Sequence, residues 1–245
     1  MQLQIAPSIL AADFLNLGKD IRMLNSEADI IHLDVMDGTL VPNISFGFSV
    51  IDQVAGIATI TMDAHLMVVN PQKWFEKLHK DGVQMVSFHY EAAGEHTGEY
   101  IDMLHSLGIK AGVAINPDVP VEKLFPYIGQ ADYFLIMSVF AGFGGQKFIP
   151  ESLERIATLK AELDRLGSNA IIEVDGGVNM DNIKALKEAG AVMIVAGSTV
   201  FRSDKPGEVI SLSGMPENYI PILLAKIVYP FERLFERIFF ARQLE

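Results

Sequence analysis

The chain has 245 residues, half of them apolar, and a formal net charge of −12. This supplies enough apolar material for one large α/β domain with a buried core. The acidic balance, with no run of Lys or Arg, argues against nucleic acid and anionic membranes as partners. It does not exclude a phosphorylated substrate, because backbone N–H groups bind phosphate locally. The absence of Cys excludes disulfides and thiolate metal ligands.

The sequence predicts neither a signal peptide nor a transmembrane helix. Met1–Gln4 lacks the basic and long apolar regions of a signal peptide, so we expect a cytoplasmic protein. The most apolar segment, Ile220–Phe231, is interrupted by two prolines and a lysine, and it is too short for a transmembrane helix.

Short apolar runs rich in β-formers recur along the first 200 positions. They predict eight strands: Gln4–Ser8, Ile30–Val35, Thr59–Met67, Met85–His89, Lys110–Ile115, Tyr133–Ser138, Ile171–Val174 and Ala191–Ala196. Segments with helical spacing lie between them: Asn16–Ser26, Val50–Ala55, Pro71–Asp81, Thr97–Leu107, Val121–Tyr127, Pro150–Leu166, Met180–Ala189 and a start at Pro206. Eight alternating units in this length predict an α/β fold, the (β/α)8 TIM barrel. The first strand is not followed by a Gly-x-Gly-x-x-Gly turn, which argues against dinucleotide binding.

The C-terminal part differs from the rest. We divide the chain into a barrel domain, residues 1–212, and a linker with a helical tail, residues 213–245. The tail carries an apolar stripe at helical spacing, formed by Phe231, Leu234, Phe235, Ile238 and Phe239. Such a stripe is too apolar to leave in water. We expect an amphipathic helix that contacts another subunit of a homo-oligomer; packing on its own barrel is the alternative.

Polar residues end three of the predicted strands. His32 and Asp34 are two positions apart and therefore face the same side of their strand. His65 ends the next strand, and Asp175 follows the seventh. A single buried His is more often a hydrogen-bonded core residue, but four such groups converging on one barrel mouth suit one divalent metal ion, Zn, Fe(II) or Mn(II). The two carboxylates also suit an acid and a base.

Glycine-rich segments follow the last three strands. They are Ala141–Gln146, Asp175–Val178 and Ala196–Thr199. Phosphate sites of α/β barrels form from the loops after the last strands, where glycine lets backbone N–H groups approach the anion. We therefore expect a phosphorylated substrate.

Other residues at strand ends have simpler explanations. Met36, Met67 and Met137 fit ordinary core packing, with an apolar lining of the site as the alternative. Asp37 fits a turn in which its carboxylate accepts backbone N–H groups. His89 ends the fourth strand, where we expect it to support the site or order a loop.

Taken together, these segments resemble the ribulose-phosphate 3-epimerase family over about residues 3 to 205. The matching motifs are Ala6–Leu10, His32–Gly38 followed by Val41–Asn43, Asp63–Val68, Gly142–Gln146, Val174–Gly177 and Ala196–Ser198. Their order and spacing make the resemblance highly specific. Ala141 departs from the Pro common in the family, and residues 215–245 have no counterpart in it.

The resemblance implies particular roles for these residues. Asp34 and Asp175 would be acid and base, and His32, Asp34, His65 and Asp175 would bind the metal. The implied substrate contacts are Ser8, His65, Gly142, Phe143, Gly144, Gly145, Asp175, Gly176, Gly177, Gly197 and Ser198. The implied reaction is the interconversion of D-ribulose 5-phosphate and D-xylulose 5-phosphate through an enediolate.

Three alternatives to this reading stay open. The related allulose-6-phosphate 3-epimerases share the metal and acid/base residues, although Gly144 and Gly177 favour the pentose enzyme. A barrel aldolase or isomerase with a Schiff-base lysine is disfavoured, since no Lys stands out at the carboxyl end of a predicted strand. A barrel scaffold whose tail drives assembly, with impaired catalysis, is the third.

Overall fold

The computed structural model describes residues 3–212. Within this range the chain forms the eight predicted strands, with ends within two residues of those expected: β1 Gln4–Pro7, β2 Ile30–Met36, β3 Thr61–Met67, β4 Met85–His89, β5 Lys110–Ile115, β6 Tyr133–Met137, β7 Ile171–Asp175 and β8 Met193–Ala196. Their β-branched and apolar residues are almost all buried, as expected for strands covered on both faces.

The strands form one parallel sheet that closes into a barrel. The strand order is β1-β8-β7-β6-β5-β4-β3-β2, and every pairing is parallel. A parallel bridge between Ser8 and His32 joins the two ends of this order. The predicted (β/α)8 barrel is confirmed, and the carboxyl ends of all eight strands therefore surround one mouth.

The connecting segments are mostly helical, as predicted. The helices are α1 Leu17–Glu27, α2 Phe48–Ala55, α3 Phe75–Lys80, α4 Tyr90–Ala93, α5 Thr97–Ser106, α6 Ser152–Leu166, α7 Ile183–Ala189, α8 Ser198–Phe201 and α9 Pro206–Leu212. The predicted helix Val121–Tyr127 is a 3-10 helix that contains Pro126, whose missing N–H cannot complete an α-helical ladder. The segment predicted from Pro71 starts as a 3-10 turn, Pro71–Trp74, before α3 begins.

Three separate clusters of buried apolar side chains stabilise the barrel, one of them at the carboxyl ends of the strands. The largest lies between the strands and the surrounding helices and is built from aliphatic and aromatic side chains such as Ile31, Leu66, Phe88 and Phe134. Inside the barrel, Tyr133, Met85 and Met193 fill the end that holds the amino termini of the strands. The polar residues of the strands lie above this layer, closer to the mouth.

Tyr133 reaches the polar interior only because its neighbour is a glycine. Gly112 pairs directly with Tyr133 across β5 and β6. A Cβ atom at position 112 would lie 2.3 Å from Cζ of the Tyr133 ring. The ring occupies the space that a side chain would take, and its hydroxyl donates a hydrogen bond to Asp63 Oδ1 at 2.7 Å.

The predicted linker and tail, residues 213–245, lie outside the described residues, so their helix and their part in an oligomer stay predictions. Across residues 3–212, no helix combines the length and apolarity needed to cross a bilayer.

Gly112→Ala should lower the free energy of unfolding by about 1–3 kcal/mol, the usual cost of overpacking a core, because the new methyl group overlaps the Tyr133 ring. Gly129→Ala is the matched control, since a Cβ there meets nothing within 4 Å. Chemical denaturation of both variants checks this. Equal stability of the two would show that Tyr133 moves aside at no cost.

Candidate active site

A cavity of about 420 Å³ opens at the carboxyl ends of the strands. Its walls contain most of the residues that the sequence singled out: Ser8, Asp34, Gly142, Phe143, Gly144, Gly145, Asp175, Gly176, Gly177, Gly197 and Ser198. His32 and His65 do not line it; both are fully buried beneath it. The structure therefore brings the predicted residues to one place, with the two imidazoles under the floor.

Four of these side chains converge on a single point. His32, Asp34, His65 and Asp175 each direct one nitrogen or oxygen atom into a group whose members all lie within 4.8 Å of one another. Asp34 Oδ1 is 3.5 Å from His32 Nε2 and 3.3 Å from His65 Nδ1. His65 Nδ1 also lies 3.8 Å from Asp175 Oδ2.

This group fits a divalent metal ion. His32 Nε2, Asp34 Oδ1 and His65 Nδ1 are buried and have no hydrogen-bond partner among the described residues. Four donors held by one Zn²⁺ at its usual bond lengths lie about 3.3–3.6 Å from one another in a tetrahedron, close to the separations seen. Two imidazoles and two carboxylates are also donors that Zn, Fe(II) and Mn(II) accept.

The outer nitrogen of His32 meets a buried carboxylate. His32 Nδ1 lies 2.8 Å from Asp63 Oδ2, and Asp63 also accepts a hydrogen bond from the Tyr133 hydroxyl. Histidines that ligate metals commonly donate their second N–H to such a carboxylate, which fixes the tautomer. Asp63 is not among the residues predicted from the sequence, although its position two residues before His65 on the same strand puts it on the same face.

Glu173 is a second residue that the sequence analysis missed. It lies two positions before Asp175, is fully buried, and approaches His32 Nδ1 to 3.5 Å through Oε1. Burial, and then the nearby Asp63 carboxylate, raise the pKa of Glu173 well above its usual value. His32 thus sits between the mouth and a pair of buried acids.

The two carboxylates at the mouth differ in their affinity for a proton. Burial alone would raise the pKa of Asp34, but the His32 and His65 imidazoles outweigh it and hold that pKa well below its ordinary value. For Asp175, burial and then the neighbouring Asp34 carboxylate raise the pKa to about 7. The pair therefore favours one ionised and one protonated carboxyl group.

Ser8 orients Asp34. Its hydroxyl donates to Asp34 Oδ2 at 2.5 Å, while its Oγ accepts the N–H of Leu10 at 3.2 Å. The Oδ1 atom of Asp34 is thereby left to face the two histidines. On the other side of the carboxylate, Ser45 Oγ donates to the backbone oxygen of Asp34 at 2.6 Å and holds the end of β2.

The glycine-rich loops need their glycines for different reasons. Gly176 and Gly177 adopt positive φ angles of 117° and 62°, and a Cβ at Gly177 would lie 2.3 Å from the backbone N of Phe148. Gly197 has no such strain, but a Cβ there would lie 3.2 Å from Ala11 Cβ. Asn43 Nδ2 donates to the backbone oxygen of Gly142 at 2.8 Å and connects the β6 loop to the β2 loop.

Arg202 also lines the cavity, beside Gly197 and Ser198. It is exposed and carries the positive charge that the acidic sequence did not suggest for this place. Composition could not reveal it, because only the turn after α8 brings this guanidinium to the mouth.

Apolar side chains complete the cavity. Met36, Met67 and Met137 are buried in one cluster with Leu135 and Val139 at the top of the barrel, and all three methionines line the cavity. Asp37, by contrast, has the turn role predicted for it: its carboxylate accepts the N–H groups of Thr39, Leu40 and Val69.

Fold and site together define a (β/α)8-barrel protein whose mouth carries two carboxylates of different proton affinity, within a group of four side chains that could hold a metal ion. A model of the ribulose-phosphate 3 epimerase family matches residues 4–201. The chain belongs to this family, and its members are isomerases of the epimerase class.

Relatives support this assignment over most of the chain. The ribulose-phosphate 3-epimerase of Synechocystis sp. is 44% identical over 209 residues, covering 84% of this chain and 91% of the relative. That of Aquifex aeolicus is 41% identical, covering 80% of this chain and 89% of the relative. A rice relative, named the cytoplasmic isoform of ribulose-phosphate 3-epimerase, is 41% identical, and the alignment covers 85% of this chain and 91% of the relative.

Solved structures with low identity share the fold. A mutant tryptophan synthase α-subunit from Pyrococcus furiosus aligns with a TM-score of 0.63 at 15% identity, over 87% of this chain and 96% of that one. Phosphoribosyl anthranilate isomerase from Thermococcus kodakaraensis aligns with a TM-score of 0.61 at 14% identity, over 87% of this chain and 98% of that one.

In metal-free protein, Asp175→Asn should become more stable relative to the parent as pH rises from about 4 to 8. The Asp175 pKa is about 7 in the folded state against 3.8 as its ordinary value, so the folded parent binds more protons than the unfolded chain in this window. That contribution to stability is lost as pH rises through 7, and the variant lacks it.

Denaturation of chelator-treated protein at a series of pH values measures this difference. Asp102→Asn, which changes an exposed carboxylate on α5, should track the parent at every pH. A difference between Asp175→Asn and the parent that stays constant with pH would contradict the raised pKa.

Proposed function

We propose that this protein interconverts D-ribulose 5-phosphate and D-xylulose 5-phosphate by proton transfer at C3. The observation that carries the proposal is the pairing of Asp34 and Asp175 at the floor of one cavity, with opposite preferences for a proton. Membership of the family adds the expectation of a pentose phosphate substrate. Inversion at one carbon needs this arrangement, because a proton must leave one face and arrive at the other.

The C3 proton of the substrate is acidic because C2 is a carbonyl group. The ionised carboxylate removes this proton, and the electron pair moves toward the C2 oxygen to form an enediolate. The protonated carboxyl group then delivers its proton to the opposite face of C3. In the reverse direction the two residues exchange roles, so each must change protonation state once per turnover.

The surrounding residues prepare the two carboxyl groups for these roles. Ser8 holds Asp34 through Oδ2, so that the carboxylate cannot rotate away from the floor of the cavity. Asp175 keeps 18% of its side chain exposed at the end of β7, where Ser138 Oγ donates to its backbone oxygen at 2.9 Å. Both acids therefore face the same substrate-sized space.

One divalent metal ion would be held by His32, Asp34, His65 and Asp175. When bound, such an ion supplies a positive charge that stabilises the developing enediolate oxygen. Zn, Fe(II) and Mn(II) all suit this donor set. The unpartnered buried atoms of His32, Asp34 and His65 support this assignment, since buried polar atoms are otherwise nearly always paired.

The methionines at the top of the barrel would exclude water from the reacting carbon. Met36, Met67 and Met137 present thioether groups, which neither donate nor take protons near neutral pH. A site closed by such groups limits the loss of the abstracted proton and of the reactive intermediate to solvent.

The substrate phosphate would bind at the loops after β7 and β8. Gly176, Gly177, Gly197 and Ser198 offer backbone N–H groups there, and Arg202 adds a cation at the same side of the cavity. The glycine-rich loop Gly142–Gln146 would cover the sugar, with Phe143 at its tip 52% exposed.

The loop geometry supports a pentose rather than a hexulose phosphate. The allulose-6-phosphate enzymes that the sequence resembles less closely tend to carry Ser at the position of Gly177. Here a side chain at Gly177 would collide with the backbone of Phe148. A Cβ at Gly144 would meet only Leu10 Cδ2 at 3.9 Å, so at this position the preference for a pentose rests on the resemblance alone. A scaffold role is disfavoured by the intact acid–base pair.

We further propose a cytoplasmic location, which the name of the rice relative supports for that protein. Homo-oligomerisation through residues 213–245 stays a prediction from the sequence, with its apolar stripe as the reason.

Asp34→Asn and Asp175→Asn should each reduce turnover by at least about 10²-fold, the usual effect of removing a general acid or base. Each variant should lose isotope exchange from solvent at C3 in the direction in which its residue is the base. Glu154→Gln, on the exposed face of α6, should keep the parent rate. Near-parent epimerisation by either Asp variant would refute the two-base scheme.

Gly197→Val should raise KM for ribulose 5-phosphate far more than it lowers kcat, because its methyl groups would extend from Cβ toward Ala11 and Ser8 at the proposed phosphate site. Inhibition by inorganic phosphate should weaken by a similar factor. Unfolding measurements control for damage to the fold. Unchanged KM and phosphate inhibition would move the phosphate site elsewhere in the cavity.

A further inference from the structure

His89 is a fully buried histidine that the proposed reaction does not use. It ends β4, next to β3, and its Nε2 lies 2.9 Å from Nε2 of His65. The two ring centroids are 5.0 Å apart and the ring planes are 19° from parallel. A short N–N contact at this spacing means that the rings meet edge to edge, as two hydrogen-bonded imidazoles do.

The contact constrains where the protons lie. A hydrogen bond between two ring nitrogens needs one N–H and one lone pair. The other nitrogen of His65, Nδ1, faces Asp34 Oδ1 and Asp175 Oδ2 and has no hydrogen-bond partner among the described residues. As a metal ligand it must present a lone pair, so the His65 proton is on Nε2 and is donated to His89.

The same reasoning fixes the tautomer of His89. Because its Nε2 accepts a hydrogen bond from His65, a neutral His89 carries its proton on Nδ1. That atom faces Glu91 Oε1 at 3.4 Å, a carboxylate able to accept it in the long contact seen here. Glu91 is partly exposed at the side chain and also accepts the N–H of Asn116 at 2.9 Å.

Asn116 connects these hydrogen bonds to the loop that covers the cavity. Its Oδ1 accepts the N–H of Ala141 at 2.9 Å, directly before Gly142. Arg155 holds the backbone of Asn116 from the other side by donating to its oxygen at 2.8 Å. A continuous set of polar contacts therefore runs from His65 through His89, Glu91 and Asn116 to the β6 loop.

We propose that His89 is a positioning residue for the metal centre. It accepts a hydrogen bond from Nε2–H of His65 and so keeps the Nδ1 lone pair of His65 directed at the metal. Glu91 sets the tautomer of His89. The inference rests on the proposed metal centre. It gives the two metal-binding histidines different supports, a buried carboxylate for His32 and an imidazole–carboxylate pair for His65.

Calorimetric titration of chelator-treated protein with Co²⁺ tests the proposal, because Co²⁺ also reports its coordination through its visible spectrum. His89→Phe should bind Co²⁺ about 10- to 100-fold more weakly than the parent, the usual effect of losing such a support. His89→Gln should bind within a few-fold of the parent, since its amide oxygen can accept the same proton. His96→Phe is the matched control: His96 also lies beside a glutamate, Glu99, but on the surface.

Glu91→Ala keeps the test available if His89→Phe does not fold. Its Co²⁺ affinity should fall several-fold, and denaturation of the metal-free variant measures separately the effect of losing the Asn116 hydrogen bond. In Zn²⁺-loaded parent, ¹⁵N chemical shifts should show His89 protonated on Nδ1 and not on Nε2. A purely structural role for His89 would predict neither this tautomer nor rescue by Gln.

The outcomes separate the two proposals. A parent that binds no divalent ion would overturn the metal centre and this inference with it. A parent that binds Co²⁺ no more tightly than His89→Phe does, or whose His89 carries its proton on Nε2, would overturn the inference alone. Equal losses in His89→Phe and His89→Gln would also overturn it.

Discussion

Ionisable groups buried inside the barrel are shielded from water, so each must be compensated by a neighbour or stay uncharged, as the raised pKa of Glu173 indicates. This constraint organises the interior. Asp63 is paired with His32 and with the Tyr133 hydroxyl, and Asp34 with the two histidines and Ser8. Burial raises the pKa of both Asp34 and Asp175, and the two histidines beside Asp34 reverse this effect for Asp34 alone. The difference in proton affinity therefore comes from the neighbours that each buried carboxylate has.

The parallel register of the strands brings the ionisable residues together at one place. Alternate residues of β2 and β3 face the barrel interior, and the pairing places His32 opposite Asp63 and Asp34 opposite His65. A slip of one residue would turn all four side chains toward the surrounding helices. The apolar core between strands and helices opposes such a slip, because Leu33, Ala64 and Leu66 would then face the polar interior. Packing outside the barrel thus secures the chemistry inside it.

Much of the site could be predicted from single residues at strand ends. His32, Asp34, His65 and Asp175 stood out because a polar residue at the end of an apolar strand is unusual, and barrel geometry brings such ends together. Asp63 and Glu173 share the inward faces of β3 and β7, each two residues before His65 and Asp175. The sequence pattern alone does not show that such a buried carboxylate supports a neighbouring site residue. Arg202 could not be found, because its place at the mouth depends on the turn after α8.

The sequence by itself determined the fold and the four candidate site residues His32, Asp34, His65 and Asp175, since alternating β and α segments admit few architectures and polar residues near strand ends are local features of the chain. Tertiary structure alone decided the protonation and orientation of those groups. Those properties depend on contacts between residues far apart in sequence, such as Tyr133 reaching Asp63 through the space left by Gly112, or His89 meeting His65. A pKa is set by burial and by neighbouring charges in three dimensions, and no local pattern records either.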